Sequence, residues 1–284
     1  MVLSMKSYAK QLNDLTFTDY YMRLELLAKS VFKWENLPNN MNEKWIEDFL
    51  FEEGRCAFFE DAKRGLMVSQ CSHDGNLNNY SEPTFITPNG IDVQSSPLSV
   101  GKECVLIRNN DRMLPTKSTL ILFAYRLAEI SRTIDINVAA QKTPLTIVGN
   151  NKKLLTLKNT YNQYSGNEPL IVVDSGLDLE SIKVLKTDAP MVFPELQQHK
   201  LAIWNECLTF LGINNANTEK RERLITEEVS ANNEHIDLSA DCFLKSRQRA
   251  AEEINRIFDC NITVRKRKEG ELECMPNIQK FSEP

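Results

Sequence analysis

The stretch TDAPMVFPELQQHKLAIWNECLTFLGI, residues 187–213, decides how the rest of the sequence is interpreted. Pro190 and Pro194 fix backbone φ and remove amide donors, so an extended segment ends here and a helix begins with Pro194 in its first turn. Gly212 predicts the end of that helix about five turns later. One apolar stripe is Leu196, Ile203, Cys207 and Phe210, and a second is Leu201, Trp204, Leu208 and Leu211. Because an ordinary surface helix buries one stripe, two stripes predict apolar neighbours on two sides, as in a bundle or a ring.

A second long helix is predicted on the N-terminal side of this stretch, opening at Pro115 and Ser118. Its apolar seam is Leu120, Phe123, Leu127, Ile130, Ile134 and Val138. The spacing gives one continuous seam, and the turn at residues 141–144 ends the helix. Between the two helices, residues 145–186 show short strand-like runs separated by Gly, Asn and Ser turns, with a short helix expected near residues 155–164. This predicts a small α+β insertion between two long helices.

The remaining chain is predicted to form further helices and one β-domain. Helices are predicted at residues 8–34, 43–52 and 239–258, and short apolar runs between Gly and Asn clusters predict an antiparallel β-domain at residues 54–110. Residues 214–237 have much charge and little helical periodicity, so they are predicted to be a long connection. Residues beyond Val264 are polar and charge-segregated, which predicts a loosely ordered end.

Composition bounds the class of protein. The chain of 284 residues is 42% hydrophobic and 26% charged, as in globular proteins. It lacks a run of 18 apolar residues and a signal-peptide core, so it is expected to be made in the cytoplasm. The seven cysteines and three histidines show no metal-site spacing, and no phosphate loop, nucleophile elbow or zincin helix is present. No catalytic residue, metal or cofactor is predicted.

The formal net charge of −5 bears on any interaction with nucleic acid. Proteins that grip DNA usually carry a basic excess, because contacts with phosphates release counterions and supply most non-specific affinity. The acidic balance therefore argues against a tight DNA binder. It is compatible with a conduit, in which tight binding would stop movement.

Several runs of this sequence resemble a known family and keep the order and approximate spacing of that family from about residue 31 to about residue 264. They are TrpGluAsnLeuPro at 34–38, GlnLysThrPro at 141–144, TyrAsnGlnTyr at 161–164, SerIleLysValLeuLysThrAspAlaPro at 181–190, AlaIleTrpAsnGlu at 202–206, ThrPheLeuGly at 209–212 and PheLeuLysSerArg at 243–247. The chain is similar to the head–tail connector, also called the upper collar or portal protein, of phi29-like short-tailed bacteriophages (podoviruses).

The resemblance implies a mainly helical α+β portal fold assembled as a ring, with the chain divided into seven segments. They are the wing with N-terminal helices and an SH3-like β-domain (1–113), stem helix 1 (114–139), a small α+β clip (140–190), stem helix 2 (191–213), a channel loop (214–237), a wing helix and strand (238–264), and a crown or C-terminal tail (265–284). It also implies a dodecameric ring at one capsid vertex of the virion, with a channel for the double-stranded genome during packaging and ejection.

The implied partners are further copies of the chain, double-stranded DNA, the major capsid and scaffolding proteins, the lower collar of the tail and a packaging ATPase. The basic N-terminal arm that binds a packaging RNA in the family is nearly missing, since only Lys6 and Lys10 are basic among the first ten residues. The use of an RNA partner therefore stays open.

The resemblance also implies roles for individual residues. The channel residues are Lys186, Lys220, Arg221 and Arg223; the ring-packing residues are Phe123, Leu127, Ile203 and Trp204; and the clip-docking residues are Lys152 and Lys153. A second channel lysine of the family falls on Glu195, so two lysine rings are not predicted. Solvated side chains are the alternative for Lys186 and for the charged connection. The basic run at residues 265–268 is predicted to be a solvated face rather than a nucleic-acid patch.

Two other classes of function stay open at this point. Scattered acidic residues could form a metal-dependent nuclease or another DNA-processing enzyme. The chain could also be a tail or scaffold ring protein that never contacts DNA.

Overall fold

The computed structural model describes residues 5–73, 75–90, 96–141, 145–147, 182–184, 190–214, 226–268 and 271. The helices are α1 (Met5–Ser30), α2 (Glu43–Glu53), α3 (Lys117–Gln141), α4 (Phe193–Phe210) and α5 (Thr226–Phe258). The strands are β1 (Phe32–Glu35), β2 (Arg55–Asp61), β3 (Gly65–His73), β4 (Phe85–Asn89), β5 (Leu98–Ser99), β6 (Cys104–Arg108), β7 (Leu145–Ile147), β8 (Ile182–Val184) and β9 (Thr263–Lys266). Long helices with separate antiparallel sheets confirm the predicted α+β class.

The chain divides into two compact units, one of Met1–Ala128 with Leu201–Pro284 and one of Glu129–Lys200. In the second unit, β7 pairs with β8 in antiparallel register, from Leu145 opposite Val184 to Ile147 opposite Ile182. This pairing brings the start and the end of the insertion together. The short helix predicted near residues 155–164 lies outside the described residues.

The predicted β-domain is a five-stranded antiparallel sheet with the order β5-β4-β3-β2-β6. Strands β2 and β6 are buried on both faces, because their alternate residues enter two different apolar clusters. Cys56, Phe58, Val105 and Ile107 belong to the cluster shared with α2 and α5, whereas Ala57, Phe59, Cys104 and Leu106 pack with Cys71 and Ile86. An SH3-like topology for this sheet stays a prediction.

Local signals determine where α2 begins and ends. The Asn42 side chain accepts a hydrogen bond from the Lys44 amide (2.9 Å), and the Gly54 amide donates to the Leu50 carbonyl. Gly54 has φ +76°, and a Cβ added to it would lie 2.2 Å from the Met113 carbonyl oxygen. Only glycine meets both demands, the left-handed backbone and the close approach of the chain that leads into α3.

The end of α4 agrees with the sequence prediction. The Ile213 amide donates to the Leu208 carbonyl (2.8 Å) and the Gly212 amide donates to the Thr209 carbonyl (3.0 Å), the two bonds of a Schellman cap. Gly212 has φ +71°, and a Cβ there would lie 2.5 Å from the Cβ of Ala240 on α5. The cap therefore also sets how closely α5 packs against the end of α4.

The prediction of a non-helical connection through Asp237 is wrong from Thr226 onward, where α5 begins. Charged and asparagine residues lower helix propensity only slightly, so the composition of this stretch does not prevent a helix. Ile236 and Ala240, one turn apart, are both buried and hold this part of α5 against the protein. Residues 215–225 lie outside the described residues.

The prediction of helix through Trp34 is also wrong, because α1 ends at Ser30 and β1 follows. β1 pairs with β9 in antiparallel register, with Trp34 opposite Val264. Residues 265–268, expected to belong to a loose tail, are thereby tied to the N-terminal part of the chain. Among the described residues, no helix combines the length and apolarity needed to cross a membrane.

Candidate assembly surface

Helix α3 lies between α1 and α4 within the first unit. Tyr125 contacts Phe17 on α1, with ring centroids 4.8 Å apart, and Phe123 contacts Phe210 on α4, with centroids 6.3 Å apart. Residues two positions apart on a helix point roughly 160° away from each other. The two aromatic contacts therefore place α1 and α4 on opposite sides of α3.

The four predicted ring-packing residues differ in exposure. Phe123, Leu127 and Ile203 are buried within the single chain, whereas Trp204 keeps part of its side chain accessible. Buried side chains cannot contact a neighbouring subunit directly. Phe123, Leu127 and Ile203 therefore hold α3 and α4 in position, and Trp204 is the member of the set that can reach another chain.

Large apolar side chains stay exposed on the three helices that carry these contacts. Within the first unit they are Leu15, Met22 and Leu26 on α1, Leu122 and Tyr125 on α3, and Leu201 on α4. Scattered single apolar residues are normal on protein surfaces, but contiguous sets of them mark interaction sites. The exposed set makes these helices the candidate surface for assembly.

A buried ion pair joins α5 to α2. The Arg247 guanidinium on α5 donates from Nε and Nη2 to the two carboxylate oxygens of Glu47 on α2, at 2.8 and 2.7 Å, and both side chains are about 3% exposed. The Trp34 indole donates to the same carboxylate (2.8 Å), and the guanidinium lies 4.4 Å from the Phe32 ring centroid. Every group of this pair has a partner, which such burial requires.

The same arginine also binds Asn109, which holds the residues just before α3. Its Nη1 donates to the Asn109 carbonyl (3.0 Å) and its Nη2 to the Asn109 side-chain oxygen (3.1 Å). The Asn109 side-chain amide in turn donates to the Leu114 carbonyl (2.8 Å) and to the Thr116 hydroxyl (2.9 Å), just before α3 begins. The network thus ties α5, α2 and β1 to the point from which α3 departs.

Sequence reasoning found only part of this network. Trp34 and Arg247 belong to two of the runs that resemble the known family, but the sequence pattern gave no role to Glu47 or Asn109. The available signal was an acidic residue on the apolar face of a helix: Glu47 is followed by the buried Leu50 and Phe51, three and four residues on.

Comparison with known proteins gives the family. A family model described as Phage Connector (GP10) matches residues 4–270. The chain belongs to the phage connector family. The family model therefore identifies the chain as a phage connector, a component of the phage particle.

Several solved structures resemble the chain at low sequence identity. The portal and tail of native bacteriophage P68 match with a TM-score of 0.54 and 12% identity, over 95% of the connector and 92% of that chain. An HK97 family phage portal protein from Corynebacterium diphtheriae matches with a TM-score of 0.46 and 11% identity, over 90% and 94% of the two chains. The virion of a native gene transfer agent particle matches with a TM-score of 0.46 and 10% identity, over 91% and 81%. The P68 likeness shows that the connector has a portal-type fold.

Two of the four basic residues at 265–268, Arg265 and Arg267, form ion pairs within the connector. Arg265 donates to Glu35 (2.9 Å) and to both carboxylate oxygens of Glu271 (2.8 Å each), and Arg267 donates to Glu43 (2.7 Å). The hydrogen bonds from Arg265 lower the pKa of Glu271 to about 2. The two arginines fasten the C-terminal part of the connector to β1 and α2.

Four of the six cysteine thiols in the described part of the connector are buried. Burial raises the pKa of Cys71 to about 11 and the pKa values of Cys104 and Cys207 to about 12, and it raises the pKa of Cys56 well above its ordinary value. These thiols stay protonated at neutral pH and react slowly, because the thiolate is the nucleophile. Within the described residues, no three His, Cys, Asp or Glu side chains are grouped so that they could hold a metal ion.

The predicted channel and clip residues lie outside the described residues of the connector. These are Lys186, Lys220, Arg221 and Arg223 for the channel, and Lys152 and Lys153 for the clip. Their roles therefore stay predictions.

Proposed function

We propose that the connector assembles into a closed ring of twelve copies at one vertex of the phage head, with a central passage for the double-stranded DNA genome during packaging and ejection. The observation that carries this proposal is that apolar side chains stay exposed on α1 and on α4, on opposite sides of α3, in a single chain. A protein that folds with such surfaces uncovered gains stability when further copies cover them. Membership of the connector family supplies the place of the ring.

The ring acts as a conduit and performs no catalysis. A formal charge of −5 on each copy keeps the attraction between the walls and DNA weak, so the genome can slide. Lys186 and the three basic residues Lys220, Arg221 and Arg223 would meet phosphates transiently. The packaging ATPase is a separate chain.

The clip, residues 140–190, is proposed to be the docking site for other proteins. The antiparallel pairing of β7 with β8 joins the first and the last strand of the insertion, and an insertion between two antiparallel helices would project from their shared end. It would contact the packaging ATPase during filling and the lower collar of the tail afterwards, while the capsid and scaffolding proteins surround the ring. Lys152 and Lys153 are the proposed docking side chains.

The test of the ring is the mass and shape of the purified connector. Light scattering after gel filtration should give about twelve chain masses, and electron micrographs should show a central hole. A magnesium-dependent cleavage assay on double-stranded DNA should show no activity. A monomer at micromolar concentration would refute the ring, and DNA cleavage that depends on the connector would favour the nuclease alternative.

The channel and clip residues are tested in assembled particles. Replacing Lys220, Arg221 and Arg223 by glutamine should leave rings and the start of packaging normal but increase loss of DNA from filled heads. Replacing Lys152 and Lys153 by alanine should weaken docking of the ATPase and the tail. The matched control for the clip is Lys63→Ala with Lys102→Ala in the β-domain, both exposed lysines, which should dock normally.

A further inference from the structure

Helix α1 has apolar side chains on two opposite faces. Its inner face carries Phe17, which contacts α3, and the fully buried Leu24. Its outer face carries Leu15, Met22 and Leu26, which are 65%, 56% and 59% exposed. At 3.6 residues per turn these three lie roughly 140–180° around the helix from Phe17. The outer stripe therefore points away from α3.

Helix α4 has the matching arrangement on the other side of α3. Its inner face carries Glu206, which pairs with Arg126 on α3 at 3.1 Å. Leu201, Trp204 and Leu208 lie roughly 140–160° around the helix from Glu206. Leu201 is 39% exposed, and Trp204 and Leu208 are partly accessible. This second stripe also points away from α3, in the opposite direction.

We propose that the outer stripe of α1 in one copy packs against the outer stripe of α4 in the next copy. The inference rests on the proposed ring and names the two faces that build it. The faces are different, so the contact is heterologous, and every copy offers one face to each neighbour. Once the ring closes, both apolar stripes of every copy are covered by a neighbouring copy.

Charge and length agree with a second copy as the occupant. Beside the α1 stripe, Asp19 and Arg23 already pair with each other at 2.7 Å. On α4, Glu206 faces α3, and Lys200 lies one turn before Trp204, at the end of the stripe. Packing the two stripes together therefore strands no charge from these pairs. The stripes extend for about 16 Å on α1 and about 10 Å on α4 at 1.5 Å per residue, so one covers the other.

The limited area explains why the assembly should be a ring rather than a pair. A single helix–helix contact of this length is smaller than the roughly 800 Å² per partner of a typical stable interface. Two copies joined by it would separate readily. In a closed ring, each copy makes the contact twice, and one broken contact releases no subunit.

The test combines two aspartate substitutions with a matched control. Met22→Asp and Leu201→Asp each place a charge in one stripe at an exposed position, so the fold should be retained, as circular dichroism would check. Both variants should lose rings at concentrations where the unmodified connector is fully assembled. Leu238→Asp, at a leucine that is 65% exposed on α5 and belongs to neither stripe, should assemble normally.

A cross-link identifies the facing surface. The photoreactive residue p-benzoyl-phenylalanine is introduced at position 22 of the full chain, and the cross-linked peptides from assembled rings are identified by mass spectrometry. The expected partner is the peptide that contains residues 193–214 of another copy. Cross-links to α1 of the other copy, or rings from either aspartate variant, would overturn the inference while leaving the ring itself intact. Absence of rings from the unmodified connector would instead refute the proposed function.

Discussion

Removal of the Arg247 side chain tests how much the buried ion pair with Glu47 contributes to the free energy of unfolding. In Arg247→Met, the Glu47 carboxylate stays buried and keeps only the hydrogen bond from Trp34 among its contacts described above. Breaking one partner of a buried ion pair typically costs about 3–5 kcal/mol of unfolding free energy. The two acceptor atoms of Asn109 also lose their donor, and each buried group left unsatisfied costs about 1–3 kcal/mol. The expected loss is therefore at or above about 4 kcal/mol.

The assay is urea unfolding at fixed protein concentration, followed by tryptophan emission and far-ultraviolet circular dichroism. The control is Arg249→Met, two residues along α5, whose pair with Asp111 is mostly exposed and is worth at most about 1 kcal/mol. The double variant Glu47→Leu with Arg247→Met removes both charges and should be more stable than Arg247→Met alone. Equal losses of stability in Arg247→Met and Arg249→Met would contradict this account of the buried pair. A double variant less stable than Arg247→Met would contradict it as well.

Three further predictions concern other parts of the connector. Gly54→Ala should lower the unfolding free energy by more than the roughly 1–2 kcal/mol of a left-handed alanine, because its Cβ would also meet the Met113 carbonyl, and a thermal melt should show a clearly lower midpoint. Phe123→Ala should cost about 3–5 kcal/mol as a buried truncation, whereas Trp204→Ala should affect ring assembly more than the stability of the single chain, as chemical unfolding and gel filtration of both variants would show. At pH 7 an alkylating reagent should modify Cys242 well before the buried thiols, whose raised pKa values keep them protonated, and mass spectrometry of timed samples would reveal any other order.

Elements with a strong local signal were predictable from the sequence. The extent of α3, the proline start and glycine end of α4, and the short length of α2 depend on residues close together in the chain, and the structure confirms their bounds within a few residues. The predicted apolar seam of α3 is buried at Leu120, Phe123, Leu127 and Ile134, but Val138 is exposed. The β-domain was likewise indicated by short apolar runs between turn residues. In each case the pattern that stabilises the element lies inside the element.

The predictions failed where distant residues decide the structure. β1 looks like the end of a helix until its partner β9 is known, because strand pairing is a tertiary contact. The start of α5 looks like a charged connection until the packing of Ile236 and Ala240 is seen. Glu47 likewise has no meaning in the sequence until Arg247, 200 residues later, is placed beside it.

The site was predictable only in outline. The two stripes on α4 indicated neighbours on two sides. The outer face of α1 gave no such signal, because its apolar residues alternate with polar ones in a helix with several acidic and basic side chains. Which of the apolar residues stay exposed depends on the full set of neighbours, and periodicity alone does not supply that information.

The pairing of β1 with β9 has a consequence for the order of events during synthesis. Residues 32–35 leave the ribosome more than two hundred residues before their partners at 263–266, and the apolar cluster that surrounds this pair also takes residues from α5. The first unit is built from both ends of the chain, so it cannot close until translation is almost complete. A nascent chain in which α3 and α4 have already been synthesised still lacks the C-terminal part of the first unit, which holds these helices in position. Truncated products should accordingly be unable to enter the ring, so that translation itself limits assembly to nearly full-length subunits.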